Sequence, residues 1–73
     1  MMKLEHLRYF MSVANTQSIN QAAGKLYISQ QQLNNILTGL EDEMQVSLFK
    51  RTNKGISLTE DGIIFAEYAK KLL

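Results

Sequence analysis

A chain of 73 residues with 45% hydrophobic content and a net charge of +1 is one small folded domain, too apolar for disorder. It has no cysteine, so it carries no disulfide framework and no thiolate metal site. No segment reads as a signal peptide and no apolar run approaches the roughly 18 residues of a membrane span, so a cytoplasmic protein is expected.

Leu4, Leu7, Phe10, Met11 and Ala14 recur at helical spacing and predict a first helix over about residues 4–15. Asn15-Thr16-Gln17 is a polar break. Ser18 then stands as an N-cap, with Gln21 three residues on to complete a capping box. Ile19, Ala22, Ala23 and Leu26 form the inner face of the second helix. Gly24 within it costs about 1 kcal/mol relative to alanine. Either another backbone comes close there or the glycine is merely tolerated.

Tyr27-Ile28 reads as a turn. Ser29 is the next N-cap, again with a glutamine, Gln32, three residues later. The third helix runs on through an apolar stripe of Leu33, Ile36, Leu37, Leu40 and Met44. Two capped helices across a short turn are the helix-turn-helix pattern, which other helical hairpins share in part. The opposite face of the third helix carries Gln30, Gln31, Gln32, Asn34 and Asn35 and no charge. A carboxamide offers a donor and an acceptor side by side, which matches the adenine edge in the DNA major groove.

After Gln45 the period changes. Val46, Leu48 and Phe49 predict a strand near 48–51, Thr52-Asn53-Lys54-Gly55 a turn, and Ile56-Ser57-Leu58 the return strand. This hairpin is a wing. Thr59 caps a fourth helix, with Glu60 and Asp61 favourably placed in its first turn. Ile63, Ile64, Ala66, Tyr68, Ala69, Leu72 and Leu73 make that helix apolar on more than one face. The expected fold is mainly α: a winged helix-turn-helix with a three-helix core over residues 1–58, then a linker or dimerisation helix over 59–73. Tyr9, Phe10, Leu37, Leu40, Leu48 and Phe49 belong to the core.

Charge is unevenly spread. Lys50, Arg51 and Lys54 cluster, while Glu41, Asp42 and Glu43 form an acidic run. Such a surface either orients the protein on a polyanion or is simply solvated. No nucleophile elbow, phosphate loop or paired-acid motif frames the serines, carboxylates and single histidine. His6 has no second ligand in view for a metal. No catalytic residue, cofactor or metal is expected.

Several segments in order resemble the N-terminal DNA-binding domain of LysR-type transcriptional regulators. They are Leu4-Glu5-His6-Leu7-Arg8-Tyr9-Phe10, Ser18-Ile19-Asn20-Gln21-Ala22-Ala23, Leu26-Tyr27-Ile28-Ser29-Gln30 with Leu33, Leu40-Glu41-Asp42-Glu43, Val46-Ser47-Leu48-Phe49-Lys50-Arg51-Thr52 and Leu58-Thr59-Glu60-Asp61-Gly62. The resemblance implies sequence-specific binding of double-stranded DNA. The third helix would enter the major groove and the wing would lie at the minor groove or backbone. It also implies a homodimer on a dyad-symmetric site, paired through the fourth helix at Ile63, Ile64, Tyr68 and Leu72. A C-terminal effector-binding domain normally follows in the family and is absent here, so a small-molecule effector would act only through that absent domain. The chain departs from the family where bases are read. Gln31 stands for the usual proline, Asn34 for serine and Asn35 for a cation, and Gln45 replaces a glycine after the third helix.

In that frame Gln30, Gln31, Asn34 and Asn35 are the candidate base contacts, and one or two of them are expected to pair bidentately with adenine. Gln32 serves the capping box. Ser18 and Asn20, with the free N–H groups that start the second helix, form a candidate phosphate site, with capping alone as the alternative for Ser18; Ser29 serves first as an N-cap and offers a hydroxyl to phosphate besides. Lys54 at the wing tip contacts phosphate or minor groove, supported by Lys50 and Arg51. For Arg51 an ion pair with the acidic run is the alternative. The competing function is a protein-interaction module that uses the apolar fourth helix without binding DNA.

Overall fold

The structure, a computed structural model, describes residues 3–73. Four helices and one hairpin follow in the order α1 (Leu4–Thr16), α2 (Ile19–Leu26), α3 (Gln30–Met44), β1 (Phe49–Thr52), β2 (Gly55–Leu58) and α4 (Glu60–Leu72). This is the expected winged helix-turn-helix architecture, with the first strand one residue later than its apolar pattern predicts.

The helix ends are set by side chains close in sequence. Ser29 Oγ accepts the Gln32 N–H at 3.0 Å and Gln32 Oε1 accepts the Ser29 N–H at 3.0 Å, a complete capping box. Ser18 Oγ accepts the Gln21 N–H at 3.1 Å, but the Gln21 side chain makes no return bond. The box expected at α2 is therefore only half formed. Thr59 Oγ1 caps α4 by accepting the Gly62 N–H at 3.0 Å. The first three helices end on the left-handed residues Gln17, Tyr27 and Gln45, each with φ between 56° and 58°. Gln45 thus takes up the backbone conformation for which a glycine is usual.

α1 is central and packs against α2, α3 and α4. The core joins Leu7, Phe10, Val13, Ala22, Ala23, Leu33, Leu37, Leu40, Leu48, Phe49 and Ile56 with Ala66 and Ala69 of α4. Phe10 is its hub: its ring meets Phe49 at 5.2 Å and stands edge-on to Phe65 at 4.8 Å and 79°. One expected core residue and one residue of the apolar stripe of α3 fall outside the core. Tyr9 is only partly buried, because its position on α1 falls at the margin of the face that Phe10 centres. Ile36 is half-buried and outside the core, since Leu33, Leu37 and Leu40 already fill the inner face of α3. At Gly24 a Cβ would meet nothing within 4 Å, so that glycine is tolerated and admits no close neighbour.

The hairpin is antiparallel, with Phe49 opposite Leu58 and Thr52 opposite Gly55. Of its turn residues only Gly55 has positive φ, at 132°. There a Cβ would lie 2.9 Å from the Gln17 carbonyl oxygen, which also accepts the Ile56 N–H at 3.4 Å. The return strand is therefore pinned to the junction of α1 and α2. At the hairpin's base the Glu41 carboxylate accepts the N–H groups of Leu48 and Phe49 at 2.7 and 3.2 Å. Glu41 is thus no part of a solvated acidic run; it satisfies two backbone donors at the entry to the wing.

Candidate nucleic-acid interface

The interface is built where α2, α3 and the wing converge. The Ser29 box starts α3 so that Gln30, Gln31 and Asn35 are exposed, with Asn34 partly buried between them and the wing. Gln31 and Asn35 make no side-chain hydrogen bond among the described residues, so their carboxamides keep donor and acceptor free. The other two amides are tied. Gln30 Nε2 donates to Asn20 Oδ1 at 2.9 Å, which joins the first residue of α3 to the start of α2. Arg51 Nη2 donates to Asn34 Oδ1 at 2.8 Å, which joins the wing to α3.

Arg51 therefore does not pair with the acidic run. The guanidinium reaches across to the carboxamide instead, and Glu41 is occupied at the hairpin base. Lys50 and Lys54 are exposed, and neither side chain has a partner among the described residues. Between the wing and the start of α2 lies an open cleft of about 330 Å³. Gln17, Ser18 and Ile19 form one wall, and Arg51, Thr52, Lys54 and Gly55 the other. Ser18 and Lys54, expected as separate backbone contacts, share this cleft; Ser29 does not line it and serves its own helix. Gln17 and Thr52 are added by the fold. Their only sequence signal was the polar break and the turn in which they sit.

The fourth helix presents a second surface. Gly62, Ala66 and Ala69 face inward, while Ile64, Tyr68 and Leu72 stand 50% or more exposed at successive helical turns. Ile64 and Tyr68 border an apolar groove of about 220 Å³ with Met44, Val46, Asp61 and Phe65. Ile63 is exposed as well, but it lies off this stripe and does not line the groove. Among the described residues no helix is long and apolar enough to cross a membrane. Nor do three or more histidines, cysteines or carboxylates gather there in a way that could hold a metal ion.

A family model described as bacterial regulatory helix-turn-helix protein, lysR family, matches residues 4–63. The chain belongs to the lysR family. This LysR-family chain is 42% identical over 72 residues to the HTH-type transcriptional regulator BenM of Acinetobacter baylyi, covering 99% of the chain and 24% of that protein. It is 42% identical over 73 residues to the regulator BsdA of Bacillus subtilis, covering 25% of it. The chain thus spans about a quarter of the length of these relatives.

Among solved structures, the LysR-family fold superposes on the BenM DNA-binding domain in complex with catB site 1 DNA. The TM-score is 0.92 and the identity 41%, over 97% of this chain and 80% of that one. The DNA-binding domain of CbnR in complex with DNA gives a TM-score of 0.92 at 34% identity, over 97% and 82%. The family is one of transcriptional regulators and not of enzymes.

Proposed function

We propose that this LysR-family chain binds double-stranded DNA sequence-specifically, as the DNA-reading part of a transcriptional regulator. The observation that carries this reading is the uncharged amide face of α3, open at Gln31 and Asn35 and tied to the wing by Arg51. With α3 in the major groove, the free carboxamides match adenine edges. The wing cations and the start of α2, at Ser18 and Asn20, take the phosphates or the adjoining minor groove. That the similar BenM and CbnR domains form complexes with DNA supports the DNA-binding reading.

A homodimer fits the Ile64, Tyr68 and Leu72 stripe, which leaves large apolar side chains in solvent on an otherwise well-packed domain. Two copies would then read half-sites about one helical turn apart on a dyad-symmetric site. The same stripe favours the second reading, an interaction module whose partner is another protein. Selection of bound duplexes from a random pool tests the first: a dyad-symmetric consensus is expected. No enrichment, with equal affinity for selected and scrambled duplexes at moderate salt, would overturn it. Sedimentation then separates the two, because a hetero-complex without DNA affinity favours the module.

A further inference from the structure

Asn34 and Arg51 lie on different elements, and the bond between them fixes the direction of an amide. Arg51 Nη2 donates to the carboxamide at 2.8 Å. A guanidinium carries donors only, so the atom that faces it is the oxygen, Oδ1. Both N–H groups of Asn34 Nδ2 are left without a partner among the described residues. Linked hydrogen bonds polarise one another, so an oxygen drawn upon by a cation leaves the amide nitrogen a stronger donor.

Asn34 and Arg51 together therefore offer a base edge donors and positive potential. An amino group approaching Oδ1 would meet the guanidinium. In the major groove guanine presents two neighbouring acceptors, O6 and N7, whereas adenine sets an amino group beside N7 and cytosine presents an amino group. Gln31 and Asn35 have no such tie and keep both halves of the adenine pattern.

We propose that Arg51 is a positioning residue that biases Asn34 towards donating, since the cation occupies one lone pair of Oδ1 and disfavours a second donor there, so that Asn34 selects guanine where an untied asparagine selects adenine. This rests on the DNA-binding reading above. It also assigns Arg51, a wing residue, a part in specificity beyond its charge.

The test compares the unaltered chain with Arg51→Ala, Asn34→Ala and the double variant. Each is titrated at one salt concentration against duplexes carrying every base at each position of the selected half-site. The unaltered chain is expected to favour guanine over adenine by about tenfold at one position. Asn34→Ala abolishes that preference. Arg51→Ala weakens binding to every duplex and shifts the same position towards adenine; added to Asn34→Ala it changes the preference no further. Uniform weakening by Arg51→Ala with the guanine preference intact overturns the proposal, as does an adenine preference at the Asn34 position in the unaltered chain. A chain without base preference at any position defeats the DNA-reading proposal itself. A readout independent of DNA is the Asn34 side-chain amide resonance of the free chain. It should move in Arg51→Ala and stay in place in Lys54→Ala; no movement in Arg51→Ala overturns the assignment.

Discussion

Glu41 and Leu48 are seven residues apart, and the carboxylate of the first accepts the backbone N–H of the second at 2.7 Å. Leu48 is fully buried, and the neighbouring Phe49 N–H shares the same oxygen at 3.2 Å. Removing the carboxylate leaves two donors at the base of the wing without an acceptor. Such a loss costs about 1–3 kcal/mol. Glu41→Ala should therefore lower the melting temperature by about 4–24 °C, at about 4–8 °C per kcal/mol for a domain this small. Glu41→Gln, which keeps an acceptor of the same reach, should cost less than half as much in the same thermal scan.

Gly62 lies where the start of α4 closes over the hairpin. A Cβ there would fall against the Leu48 carbonyl oxygen, with Leu58 Cδ2 at 3.1 Å. That carbonyl already accepts the Thr59 N–H at 3.0 Å, so it cannot retreat freely. Gly62→Ala should cost about 3 kcal/mol, the upper part of the range for overpacking. Urea denaturation should show a lower midpoint with an unchanged slope. A neutral result would mean that α4 shifts away from the wing at little cost.

Tyr27 ends α2 with φ of 58° and is 94% exposed. The left-handed conformation costs an ordinary residue about 1–2 kcal/mol, and asparagine tolerates it better. Tyr27→Asn should raise stability by about 0.5–1 kcal/mol, read as a small rise in the urea midpoint. A fall would show that the tyrosine ring holds a contact worth more than its backbone strain.

Gln31 and Asn35 should separate from Lys54 by the kind of effect each produces. Gln31→Ala and Asn35→Ala should relax base preference at one position each, by about 1–3 kcal/mol. Lys54→Ala should weaken binding to all duplexes alike and reduce the slope of log affinity against log salt by about one. Anisotropy titrations at several salt concentrations distinguish the two.

Replacing Tyr68 with lysine places a charge in the middle of the Ile64, Tyr68 and Leu72 stripe without touching the core. Tyr68→Lys should reduce self-association in sedimentation at high concentration while Ile63→Lys, off the stripe, has a smaller effect. Equal effects of the two would indicate a different contact face.

Local signals made most of the fold legible. Serine and threonine caps at Ser18, Ser29 and Thr59 mark three helix starts, and the 3.6-residue spacing of Leu7, Phe10, Leu33, Leu37 and Leu40 marks the faces that meet. What local pattern could not carry was any contact between distant segments. Glu41 reads as one more acid in an exposed run until the chain turns back and brings Leu48 to it. Asn34 and Arg51 are seventeen residues apart, and Asn20 and Gln30 ten. Each of the four reads as an independent polar residue in sequence. Tyr9 and Ile36 illustrate the converse limit: periodicity says which face a residue is on, but not whether neighbours already fill the space behind it.

The pinning of β2 to Gln17 has a further consequence. Because Gly55 and Ile56 are held against the junction of α1 and α2, and α3 is packed on the same two helices, the gap between α3 and the wing tip is set inside the protein. The domain works as a fixed caliper. Of two duplexes with identical base edges, the one whose grooves already match that gap loses less to deformation on binding, so base pairs the side chains never touch enter the selection.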